Sequence, residues 1–182
     1  MSKLSTLKQL LLYLLMVGMS LPAYSVSSTE RELQIKAAYL YNFTKFITWT
    51  DSSPSKTDDF TFCIVEDEYF SHVLTQIVKE RKIRNKMPHI KTILDTETLT
   101  ECHLIYIPQQ TTLLNEFYLK KAAHTQSLTV GESVSFTQLG GIIRFYTKNN
   151  KLKFKINNQN AINAGLKIQS QLLKLGNRSI DE

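Results

Sequence analysis

Residues 60–65 read Phe-Thr-Phe-Cys-Ile-Val, a compact apolar run of strand length. The run does not alternate, which is the pattern of a strand covered on both faces, as in a parallel sheet. Upstream, Asp51 to Asp59 combines Pro54 with small polar residues and breaks the chain. Downstream, Phe70 to Val78 sets Leu74, Ile77 and Val78 on one side of a helix. The same rhythm continues outward. His89 to Leu94 reads as a weaker strand, His103 to Ile107 as a buried strand stopped by Pro108, Leu113 to Ala123 as a helix, and Ser127 to Val130 as a strand. This alternation predicts βαβ units: an α/β domain with a mostly parallel sheet flanked by helices.

The last third changes character. Gly140-Gly141 precedes a strand from Ile142 to Thr147, and Lys148-Asn149-Asn150 supplies turn chemistry. Lys151 to Ile156 then alternates strictly, with Leu152, Phe154 and Ile156 directed inward and three lysines outward. That predicts a C-terminal antiparallel hairpin whose second strand has one wet face near a sheet edge. Asn157 or Asn158 can cap a final helix in which Ala161, Ala164, Ile168, Leu172 and Leu175 keep helical spacing and which Gly176 ends. At the other end, Glu30 to Trp49 reads as one largely buried helix, carrying Leu33, Ala37, Leu40 and Ile47 in register. Tyr39, Tyr41, Phe43, Phe46 and Trp49 crowd eleven residues, mostly as core, with aromatic area left for a partner.

The amino terminus predicts export. Lys3 and Lys8 precede the apolar run Leu10 to Val17, and Ala23-Tyr24-Ser25 supplies small residues for cleavage after Ser25. The run is too short to cross a bilayer, which takes roughly 20 apolar residues. Residues 1–25 are therefore expected to be a signal peptide and residues 26–182 one soluble domain. Removing Lys3 and Lys8 takes the 22 basic residues to 20 against 16 acidic, a mild excess without a nucleic-acid signature. Two cysteines, Cys63 and Cys102, read as one disulfide between two strands in an oxidising compartment, with a pair of buried thiols as the alternative.

Chemistry is sparse. His72, His89, His103 and His124 show no metal-ligand spacing, and no nucleophile elbow, P-loop or dinucleotide fingerprint occurs. No cofactor or metal is expected, and the chain reads as a binding module rather than an enzyme. Glu66-Asp67-Glu68 stands where ligands gather in α/β sheets, although Asp67 equally suits a helix N-cap. The basic stretch from Lys79 to Lys91 offers contact with anionic lipid headgroups or an acidic partner, or simple solvation of a helix end and loop.

The segment LQIKAAYLYNFTKFITW, residues 33–49, resembles the opening signature of the YfiR-like family of periplasmic proteins. Phe60 to Val65, Leu128 to Glu132, Gly140 to Tyr146 running on through Ile156-Asn157, and the closing Ala164 to Leu175 are similar in order and spacing. Three positions depart from the family pattern: Thr50 stands where Pro is usual, Glu66 where Gly is frequent, and Lys155 where an acid is frequent. The resemblance implies a non-catalytic periplasmic regulator that forms homodimers. It would repress an inner-membrane diguanylate cyclase and so keep cyclic di-GMP low.

The first helix and the hairpin are the expected partner-binding elements, through Tyr41, Asn42, Lys45, Arg144 and Lys153. An ordinary account stands beside each: solvation for Lys45 and Lys153, packing for Tyr41, local hydrogen bonding for Asn42 and Arg144. The rival functions are a periplasmic small-molecule sensor, with its pocket near Glu66 to Glu68, and an enzyme built on a perturbed His or carboxylate pair.

Overall fold

The computed structural model describes residues 28–49, 59–94, 96–109 and 115–181. The expected signal peptide and nearly all of the Asp51 to Asp59 breaker lie outside the described residues. Helix α1 (Ser28–Phe43) opens the described chain and is followed by a short strand β1 (Ile47–Trp49). The sheet is then laid down by β2 (Thr61–Val65), β3 (His89–Ile93), β4 (Leu104–Ile107), β5 (Leu128–Gly131), β6 (Ile143–Lys148) and β7 (Lys151–Ile156). Between them run α2 (Glu68–Val78), a 3₁₀ turn (Thr96–Glu101) and α3 (Asn115–Ala122). The chain closes with α4 (Asn158–Asn163), β8 (Leu166–Ile168) and α5 (Ser170–Asp181).

The six-stranded sheet has the order β3-β2-β4-β5-β6-β7. All neighbours run parallel except β6 and β7, which form the antiparallel hairpin. Side chains alternate across each strand, so Phe62, Ile64, Leu104, Tyr106, Phe145 and Phe154 share one face with Leu40, Phe43, Phe70 and Leu74 of α1 and α2. Cys63, Val65, Ile105 and Ile107 point the other way, under Leu99, Tyr118, Leu119 and Ala122. Burial on both faces is why these strands read as unbroken apolar runs.

The crowded aromatics of α1 lock that helix onto the hairpin. The Phe43 ring lies 5.1 Å from Phe154 and 5.9 Å from Phe145, and Tyr39 lies 5.5 Å from Phe154. Strand β7 is the sheet edge, and lysines on its outward face oppose addition of a further strand.

Two expected helices are shorter than their periodicity suggests. The first ends at Phe43 rather than Trp49, because Ile47-Thr48-Trp49 pairs antiparallel with Leu166-Lys167-Ile168. The final one is split. Gly165 adopts φ 72°, a left-handed conformation that stops α4, and helix resumes only at Ser170. Asn157 caps α4 as expected, its side chain accepting from the Asn160 amide. Gly176 does not end the last helix; it lies inside α5, where a Cβ would stand 2.8 Å from the Ile156 side chain.

Cys63 and Cys102 are joined, with Cα atoms 5.7 Å apart. Cys63 lies in β2, but Cys102 sits in the turn before β4, so the bridge ties a strand to a connection rather than two strands. By the chain-entropy model, closing a loop between residues 39 apart contributes about 4 kcal/mol.

Candidate functional site

Two polar regions stand at opposite ends of the sheet. The first follows from topology. Strand β3 lies on one side of β2 and β4 on the other, so the chain reverses its direction of winding there. A crevice beyond the carboxyl ends of strands at such a point is where α/β folds hold ligands. Here it is a cavity of about 390 Å³, lined by Glu32, Leu33 and Lys36 of α1 with Asp67, Tyr106 and Glu132.

Lys36 is buried at its centre, its ammonium 2.8 Å from Glu32 and 2.9 Å from Glu132. Burial is the strongest single influence on this lysine and opposes its charge. The hydrogen bonds and charges of the two glutamates together outweigh it and hold the pKa above the ordinary lysine value. Lys36 therefore stays protonated at neutral pH and cannot serve as a base. The buried Tyr106 hydroxyl donates to Glu132. Burial first, and then the Glu132 charge, push its pKa well up. Asp67 acts as the N-cap of α2, one oxygen accepting from the Phe70 amide at 2.8 Å.

The second region is a cationic rim at the amino ends of the strands. Tyr41, in the last turn of α1, is 8% exposed, and its ring carries two cations. Lys45 Nζ lies 4.5 Å from the ring centroid and donates to Asn42 at 3.1 Å, while the Arg81 guanidinium lies 5.1 Å away. The Arg84 guanidinium sits 5.1 Å over the Trp49 ring. Each such contact contributes roughly 0.5–1 kcal/mol at an exposed site.

Arg84 is delivered by a tight turn in which Ile83 and Lys86 exchange both backbone hydrogen bonds. Arg84 and Asn85 both have positive φ, 52° and 66°, as the primed two-residue hairpin turn requires. An arginine in that conformation costs about 1 kcal/mol that glycine would not.

Beneath the rim, Trp49 Nε1 donates to the His103 carbonyl at 3.2 Å, and His103 Nδ1 accepts from the Thr61 amide at 3.2 Å. The His103 ring stacks 4.8 Å from Phe60. Burial, with a smaller push from the Arg84 charge, lowers its pKa to about 4. The neutral imidazole is thereby held as a backbone acceptor.

The residues singled out from sequence divide between regions. Tyr41, Asn42 and Lys45 meet at the rim. Arg144 and Lys153 do not join them; they belong to the hairpin at the far sheet edge. There Arg144 Nε donates to the Glu132 carbonyl at 3.4 Å, and Lys153 stands opposite Tyr146 in the register. Sequence reasoning placed Arg81 and Arg84 in a basic stretch read as either an anion-contact surface or solvated charge, and did not single out Lys36 or Glu132. The Glu32–Lys36 spacing of four residues was the one local signal for the crevice.

Glu66 has φ 52°, a left-handed conformation that glycine adopts most readily. Its carboxylate accepts from Tyr118 at 2.7 Å, which accounts for a side chain at a glycine-favouring position. Among the described residues no group of three or more His, Cys, Asp or Glu side chains could hold a metal ion. No described helix is long and apolar enough to cross a membrane.

Comparison with known proteins agrees with this architecture. A solved conserved domain protein from Vibrio cholerae O1 biovar El Tor superposes with TM-score 0.55 at 10% identity, over 79% of this chain and 58% of that one. The chain thus spans little more than half the length of that protein, and the likeness shows the fold. The ABC domain from Streptococcus pneumonia, solved in complex with L-Trp, reaches TM-score 0.47 at 10% identity, over 68% of this chain and 56% of that one, too remote to carry an argument. Among curated proteins nothing matches. The sequence pattern of the YfiR/HmsC-like family, however, matches residues 33–177, nearly all of the described chain, and the protein belongs to that family.

Proposed function

We propose that this protein is a periplasmic regulator that binds and represses an inner-membrane signalling protein, a diguanylate cyclase above all, and so keeps cyclic di-GMP low. The match to the YfiR/HmsC-like family over residues 33–177 carries this reading. In it, residues 1–25 direct export and are removed, and residues 26–182 act outside the cytoplasm as a homodimer without catalysis. Repression requires only that the domain bind the inactive state of its partner more tightly than the active one. The Cys63–Cys102 bridge makes such a repressor sensitive to envelope redox damage, because losing the bridge lowers its stability.

Crosslinking of the tagged protein in cells, with cyclic di-GMP measured in a deletion strain, tests the proposal. Capture of a membrane cyclase together with a rise in cyclic di-GMP is expected. Unchanged cyclic di-GMP with no membrane protein captured would refute it.

The crevice favours a second reading, a small-molecule sensor feeding a membrane partner. Its volume of about 390 Å³ falls within the range of small-ligand pockets. A ligand-dependent rise in melting temperature, abolished by Asp67→Asn, would support that reading. Asn still caps α2 in this variant, so loss of the ligand effect would not reflect a broken helix.

A further inference from the structure

We propose that the rim formed by Tyr41, Lys45, Arg81, Trp49 and Arg84 is an anion-docking site that takes an acidic, carboxylate-rich segment of the protein's partner. The inference rests on the regulatory reading above and names the chemistry of the contact.

Charge is the first ground. Lys36, Lys91 and Lys120 each hold a carboxylate within 2.9 Å. Lys45, Arg81 and Arg84 are all exposed, and among the described residues their partners are aromatic rings and Asn42. Lys79 and Lys82, also exposed, flank them along the same stretch, which holds one exposed acid, Glu80. Three cations with no carboxylate partner among the described residues form a complement for carboxylates.

Backbone cost is the second ground. Arg84 occupies a left-handed conformation that Gly or Asn adopts more readily. Strain held at one named side chain points to use of that side chain.

Geometry selects the partner class. Each guanidinium lies 5.1 Å from an aromatic ring centroid, a contact that restricts its freedom, and a guanidinium fork matches a carboxylate through two parallel hydrogen bonds. A fluid lipid headgroup layer gains nothing from fixed orientation; flexible lysines serve it as well. A second copy docking rim to rim would bring like charges together.

The test uses the mature chain, residues 26–182, and a fluorescent decaglutamate peptide as probe, at two salt concentrations. Vesicles containing phosphatidylglycerol and a decalysine peptide are run beside it. Salt-sensitive binding of decaglutamate is expected, weakened at least tenfold in Arg81→Gln/Arg84→Asn and unchanged in Lys148→Gln/Lys151→Gln, which removes the same charge at the tip of the β6–β7 hairpin, at the opposite end of the sheet. The rim variant should stay folded and melt within a few degrees of wild type, since relief of the turn by Asn partly offsets the two lost ring contacts; a folded, non-binding protein separates docking from structure.

Equal loss in both double variants would mean nonspecific charge and would overturn the site. Rim-dependent binding to vesicles but not to decaglutamate would replace the acidic segment with a lipid surface. Rim-dependent self-association by sedimentation would replace it with a second copy. None of these readouts involves a cyclase. Their failure would leave the regulatory reading standing, and flat cyclic di-GMP with intact rim binding would sink that reading alone.

Discussion

The two ends of the sheet solve the problem of placing charge on a small domain in opposite ways. At the carboxyl ends, Lys36 is buried and shared between Glu32 and Glu132, so its charge is cancelled inside the fold. At the amino ends, Lys45, Arg81 and Arg84 stand exposed on the rings of Tyr41 and Trp49, held in place with no carboxylate partner among the described residues. A buried charge neutralised within the fold is costly to break, because removing one partner strands the other. An oriented, uncancelled charge contributes little to stability and is available to a partner. Helix α1 spans both regions, with Lys36 near its middle and Tyr41 in its last turn.

Perturbing each end separately should expose this difference. The largest effect belongs to the disulfide. Cys102 lies next to His103, whose carbonyl receives the Trp49 indole, so the bridge braces the rim end. Cys63→Ala/Cys102→Ala should cost about 4 kcal/mol and lower Tm by roughly 10 °C, read by calorimetry. Purified mature protein should accordingly show no free thiol under denaturing conditions.

Next comes Lys36→Met, which leaves Glu132 with the Tyr106 hydroxyl but without its cation, and Glu32 without its partner. About 2–3 kcal/mol should be lost at neutral pH, measured by urea denaturation. Because folding raises the lysine pKa, its contribution is complete below the unfolded value near 10.5 and lost as pH climbs through the folded value. The gap between wild type and variant should close in strongly alkaline solution. A gap that persists there would show that packing, not charge, carries the effect.

His103 acts in the opposite pH direction. Its pKa falls from about 6.5 to about 4 on folding, so the unfolded chain takes up the proton first as pH drops. Stability should decline across that window, and His103→Gln, whose amide oxygen can still accept from Thr61, should flatten the decline. Smallest is Glu66→Gly, which relieves a left-handed residue but removes the Tyr118 hydrogen bond. These oppose, and the net change should stay within about 1 kcal/mol.

How much of this the sequence disclosed depended on whether the signal was local. Strands β2, β4 and β5 were legible because burial on both faces leaves an unbroken apolar run. Their flanking helices and the β6–β7 hairpin were legible from spacing and turn residues. The ends of the first and last helices were not. Ile47-Thr48-Trp49 and Leu166-Lys167-Ile168 keep apolar spacing that fits a helix, and only their pairing with each other makes them strands. The hinge at Gly165 was the missed local clue.

The candidate site follows the same division. Asp67 was visible as a cap, and Tyr41, Asn42 and Lys45 as a polar and aromatic helix end. That Arg81 and Arg84 fold back onto Tyr41 and Trp49 is a tertiary fact, with no trace in residue spacing. Lys36 and Glu132 meet only because α1 crosses the carboxyl end of β5.

The most direct test is complementation of a deletion strain, with intracellular cyclic di-GMP as the readout and the captured membrane partner identified by crosslinking. Wild type and Lys148→Gln/Lys151→Gln should restore low cyclic di-GMP, whereas Arg81→Gln/Arg84→Asn, exported and folded at wild-type level, should leave it high and capture no cyclase. Full repression and capture by the rim variant would show that the partner docks elsewhere, and no rise on deletion would contradict the regulatory account itself.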